Sequence, residues 1–311
     1  MTKAAASLAT VDGRTDDVGA SRQRLAEPQE IRSTMPSSRL TRWTVLLIAT
    51  GTLGSALLRG TARAWNDAGH RLTLEKAIDA LPKPLKSFYE DRKVSLGEAI
   101  SDPTRFGPRL VFEVDRLEPF PFDGLPIDRK LAVRKYGEET IEEAGDLPWR
   151  LIESYEALVE AFSTGDFEAA ADQSVAIAYY VGELYVPANV SRLGDGEPTS
   201  QEGLRERFDS RLLDAFSGKL KVSTPSAVYL DQPADYAVSI PLKSFIWVDN
   251  LLYFDYLSRR GVKSYDRFYY EGMWIRAEAV LESLLGGVAL DASSFWYTAW
   301  VNARKPDLPK K

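Results

Sequence analysis

The feature that most narrows the fold is the spacing of apolar residues between positions 147 and 186, LPWRLIESYEALVEAFSTGDFEAAADQSVAIAYYVGELYV. They recur three and four apart, the period of an α-helix with one buried face, and nowhere do they alternate as a strand requires. Gly165 and Asp166 interrupt the pattern once, closing one helix and capping the next. The same period predicts helices over 70–81, 83–92, 200–217, 241–260, 264–286 and 291–304, with Asp291 as the cap of the last. Residues 103–146, rich in proline and glycine, read as a long irregular excursion, and 219–236 as a shorter loop. The expected fold class is all-α, one multi-helix domain spanning 65–311.

The segment before it has another character. Arg39 and Arg42 precede a sixteen-residue apolar run from Trp43 to Leu58, and Ala62-Arg63-Ala64 ends in small residues. That is the layout of a secretory signal peptide, with cleavage expected after Ala64 and Met35 as the expected start of translation. An apolar run of that length spans roughly 24 Å, short of the ~30 Å hydrocarbon core of a bilayer. The expected location is therefore periplasmic or secreted, the alternative being an anchor formed by residues 43–58 and membrane contact through that segment alone.

Residues 65–311 hold 30 Lys and Arg against 40 Asp and Glu, a net charge of −10. Such a surface repels polyanions, so nucleic acid is not an expected partner, and a phosphate-bearing ligand would need a metal or a local arginine cluster. With no cysteine, thiol catalysis and Cys-ligated zinc are excluded.

Several polar residues sit where an apolar core is expected. Glu183 lies in the middle of VAIAYYVGELYV, one turn after Tyr179. A buried carboxylate needs a partner, and Arg205 or Arg207 in GLRERFD could supply a cation, as could a metal near Trp65 and His70. His70, the single histidine, either caps the first helix and packs on Trp65 or joins the Trp65 amine and carbonyl around one ion. Asp209 follows Arg205 by four residues, on the same helix face. Asp102 precedes Pro103 and reads equally as a turn residue. Asp249 and Asp255 read as solvent-facing or paired with Arg259, Arg260 or Arg267.

In order along the chain stand WNDAGH, ISDPTRF, FEVD, GDLPW, YYVGELYVPAN, GLRERFD and YTAWVNARKPDLP. Together they resemble the superfamily of zinc-dependent phospholipase C and fungal-type single-strand nucleases. The resemblance spans Trp65 to Pro309 and implies an all-helical fold with a trinuclear zinc cluster that cleaves phosphoester bonds. It also implies which positions would carry the ligands. Trp65, His70, Asp102, Asp209 and, conservatively, Glu183 match them, while Phe112, Tyr179, Asn189 and Arg205 stand where the family carries histidine.

Phenylalanine offers no lone pair, a neutral phenol is a poor zinc ligand, and a guanidinium repels cations. Only the position formed by Trp65, His70 and Glu183 keeps all its donor types, so at most one zinc ion is expected. Three readings stand: a catalytically silent relative, a weak phosphoester hydrolase using one residual metal, and a full phosphodiesterase. The ligand inventory disfavours the last, because a metal clamp on attacking and leaving oxygens needs more than one ion. The ligand, a small molecule or phosphoester, is unspecified.

Overall fold

A computed structural model of the chain describes residues 65–309. The expected signal segment and its cleavage point lie outside the described residues. Helices and irregular connections make up this part, with no strand among the described residues, as an all-α domain requires. None of its helices is long and apolar enough to cross a membrane.

The chain opens with α1 (Asp67–Asp79), α2 (Lys83–Glu90) and α3 (Lys93–Ile100). Asn66 caps α1 by accepting from the Gly69 N–H at 2.8 Å. The excursion that follows is not structureless. It contains α4 (Arg129–Tyr136) and α5 (Glu138–Ala144), short helices whose charged, weakly periodic sequences hide them from an apolar-spacing criterion. Residues 93–100 form α3, too short to show a full apolar period in sequence.

The central hairpin is α6 (Leu147–Thr164) against α7 (Phe167–Leu184), with Gly165 in the left-handed conformation between them and Asp166 capping α7 through the Ala169 N–H. A π-helical turn, Glu206–Arg211, runs into α8 (Leu212–Phe216). The stretch expected as one helix over 241–260 is instead α9 (Pro233–Phe245) followed by α10 (Val248–Arg259). Pro233 occupies the first turn of α9, where its missing N–H costs nothing, and Pro241 lies inside the helix.

The largest departure is α11, a continuous helix from Arg267 to Asn302 where two were expected. Gly286 and Gly287 do not break it. They are there because neighbours come too close for a side chain: a Cβ on Gly287 would lie 2.4 Å from the Tyr185 ring, and one on Gly286 2.7 Å from the Ser223 carbonyl oxygen. Asp291 consequently caps nothing and sits buried in mid-helix. α11 packs against α1, α6, α7 and α10 and so forms the spine of the domain. Trp296 on it stacks on Tyr89 at 4.6 Å and donates to the Ser174 carbonyl of α7 at 3.0 Å.

Candidate functional site

Trp65, fully buried, fastens the start of the described chain to α7 by donating its indole N–H to the Gly182 carbonyl at 3.0 Å. One turn into α1, His70 is buried against the same stretch of helix. Its ring lies nearly parallel to that of Tyr179 at 4.5 Å, and Phe106 covers the Tyr179 ring at 3.8 Å. Gly182 makes this approach feasible, since a Cβ there would come within 3.2 Å of His70 Cε1 and 3.5 Å of Trp65 Cδ1.

Glu183 follows, completely buried. Its Oε1 lies 3.8 Å from His70 Nε2, and its Oε2 accepts from the Asn189 amide at 2.8 Å. Asn189 reaches it because Pro187 turns the chain sharply after α7 into a 3-10 turn, and the same amide donates to the Glu183 carbonyl at 3.2 Å. Of the two arginines considered as partners, Arg207 is committed elsewhere: it pairs with Asp255 at 3.1 Å and donates to the Gln201 and Glu202 carbonyls. Asp255 is therefore buried and held by Arg207, Gln201 and Tyr269, correcting its expected exposure or pairing with Arg259, Arg260 or Arg267. Asp249 is exposed, as expected.

Arg205 donates to the Ala188 carbonyl at 2.9 Å, and its backbone N–H to Asp195 at 3.0 Å. Asp209 lies in the π-helical turn with no solvent exposure. Its Oδ1 accepts from Ser210 at 2.9 Å, while its Oδ2 has no hydrogen-bond partner among the described residues. Burial drives its pKa well above the usual carboxylate range. Ser210 and the Arg205 charge oppose that rise, whereas Glu183 and Asp195 add to it.

The remaining positions complete the picture. Phe112 is buried edge-on to Trp149 at 5.4 Å, and its N–H donates to the Asn189 carbonyl, so the excursion's backbone lies alongside the turn after α7. Gly145, with a φ of +95°, leaves room for the Val111 carbonyl, which a Cβ would approach to 1.9 Å. Asp102 is exposed and caps the turn Pro103–Phe106 by accepting from the Thr104 N–H and hydroxyl. That is the ordinary fate of Asp before proline.

His70, Tyr179, Glu183 and Asn189 thus form one buried cluster beside Trp65, with Arg205 joined to it through Ala188 and Asp209 close enough to feel the charge of Glu183. As a receptacle for a trinuclear zinc cluster the residues do not fit: Phe112 has no lone pair, the neutral Tyr179 phenol is a poor zinc ligand, and an Asn189 N–H points at the carboxylate. Among the described residues no three His, Asp or Glu side chains converge on a point. His70 and Glu183 alone could share an ion, with main-chain donors of Trp65 to complete a tetrahedron.

One polar network went unread in the sequence. Asp291 accepts from Tyr185 and Tyr236 and pairs with Lys243, all at 2.7 Å. An acidic residue inside the apolar run after Gly287 was the available signal, and the Gly-Gly pair disguised it as a helix cap. No protein-family model matches the chain, and no curated protein matches its sequence.

Proposed function

We propose that the chain is an exported, divergent relative of the zinc-dependent phospholipase C and single-strand nuclease superfamily whose ancestral metal centre has become a catalytically silent polar core. The observation that carries this reading is the Asn189 amide donating to Glu183 Oε2 at 2.8 Å. The donor N–H takes a lone pair of one carboxylate oxygen that an ion would otherwise use, and it offsets part of the cost of burying the charge. The Phe106 and Tyr179 rings stack over the buried His70 and fill the adjoining space with apolar surface. On this reading Arg205 stands in for a cation by placing fixed positive charge near Asp209.

The test is hydrolysis of bis-nitrophenyl phosphate and of phosphatidylcholine by the purified chain, with and without added zinc. The silent reading expects no turnover above the protein-free rate in either condition. A second reading, a weak hydrolase with one ion, draws on the 3.8 Å approach of His70 Nε2 to Glu183 Oε1 beside Trp65. There, His70 and Glu183 would hold the ion, which would supply Lewis-acid activation of a phosphoester oxygen. Zinc-dependent turnover lost on His70→Ala would favour it and remove the first.

A further inference from the structure

The net charge of −10 over residues 65–311 means that any phosphate-bearing ligand needs a local concentration of positive charge. The fold builds one away from the buried cluster, at the end of α10. A cleft of about 330 Å³ opens there between the turn Thr199–Gln201 and the last turn of α10, lined by Thr199, Ser200, Gln201, Tyr256, Arg259 and Arg260. It is shallow and open to solvent, a shape that suits a small anion.

The two guanidiniums are not used up by the fold. Among the described residues Arg259 donates to the Ser200 carbonyl alone, at 3.1 Å, and leans over the Tyr265 ring at 5.4 Å. Arg260, just past the helix end, forms no ion pair among the described residues, and both side chains are exposed. Glu197 and Glu202, the acidic residues of the facing turn, pair with neither. The nearest buried carboxylate, Asp255, is held by Arg207, Gln201 and Tyr269.

The opposite wall presents hydroxyls. Ser200 adopts a φ of +57°, a left-handed conformation that is costly outside glycine. It is fixed by its N–H to Glu197 and by Arg259 on its carbonyl. Gln201 beneath it is locked by its amide on Asp255 and Leu252. The wall is therefore rigid, while guanidinium N–H groups remain free to close on a ligand. Two such forks with no carboxylate between them match the charge of a doubly ionised oxyanion.

We propose that this cleft is a phosphate-binding site, with Arg259 and Arg260 clamping the anion and the hydroxyls of Ser200 and Tyr256 orienting it. The site is independent of the buried cluster and takes its ligand whether or not the protein is an enzyme.

Isothermal titration of the full chain with inorganic phosphate, and co-sedimentation with phosphatidylcholine vesicles containing one-fifth phosphatidic acid, test it. The wild-type chain should bind saturably, and the double variant Arg259→Gln/Arg260→Gln should bind about tenfold more weakly or less, a difference worth ~1.4 kcal/mol. Arg134→Gln, an exposed change on α4, should bind as wild type. Both chains carry residues 43–58 alike, so only the difference between them is read in the vesicle arm. Binding of free phosphate identifies a soluble ligand; arginine-dependent binding of vesicles alone identifies a lipid headgroup, and either supports the site. Should the double variant melt early, Arg260→Gln replaces it, since that side chain forms no ion pair among the described residues. Absence of binding in both arms, or equal binding by wild type and variant, overturns the proposal.

Discussion

Glu183 and Asp209 are both fully buried, and different means keep them so. Glu183 has an amide donor and an imidazole beside it, whereas Asp209 has one hydroxyl, the charge of Arg205 and a raised pKa. A folded-state pKa above the unfolded value of ~3.9 means that the native state holds a proton which the unfolded chain releases. Asp209 therefore costs stability increasingly as pH rises from about 4 toward its native pKa, at up to ~1.4 kcal/mol per pH unit. Asp209→Asn removes that cost. Its melting temperature should exceed the wild type's at pH 7.5, with the gap narrowing toward pH 4.5. A gap that widens in acid would show that Asp209 is ionised in the native state. The sequence announced that Glu183 was anomalous but not what compensates it. Asn189 is six residues away, and only the turn at Pro187 folds its amide back onto the carboxylate.

At the scale of elements, α11 turns on residues that look like helix breakers. Gly287 normally costs a helix about 1 kcal/mol relative to alanine, so Gly287→Ala should stabilise an unconstrained helix. Here the added methyl meets the Tyr185 ring, and moving that ring breaks its bond to Asp291. The expected outcome is a net loss of about 2 kcal/mol in chemical denaturation, and a gain would refute the close packing of α7 on α11. Asp291→Ala should be worse, about 3–5 kcal/mol, because Lys243, Tyr185 and Tyr236 lose a shared acceptor. These contacts explain why the continuity of α11 is not legible in the sequence. Glycine and aspartate in sequence signal a break and a cap, and only a neighbouring ring, remote in sequence, reverses their meaning. The long periodic helices α6 and α7 were legible because their apolar faces carry the information locally. The short, charged α4 and α5 were not, for want of such a face.

For the whole molecule, all-helical architecture was readable from period alone, while the arrangement of site residues depended on contacts between segments far apart in sequence. Phe112 meets Asn189 through a backbone hydrogen bond, and Trp65 meets Gly182, neither pairing being encoded in local spacing. The −10 charge of residues 65–311 leads to one expectation at this scale: single-stranded DNA should not bind detectably at physiological salt, and a salt-sensitive complex would contradict it. Metal content reports most directly on what occupies the middle of the domain. Protein expressed with zinc supplied, its amino terminus verified as Trp65 by mass spectrometry, would be dialysed and its zinc counted per chain. The proposed replacement of a metal cluster by an amide, stacked rings and a guanidinium predicts no more than one ion. Two or three ions that survive dialysis would contradict it.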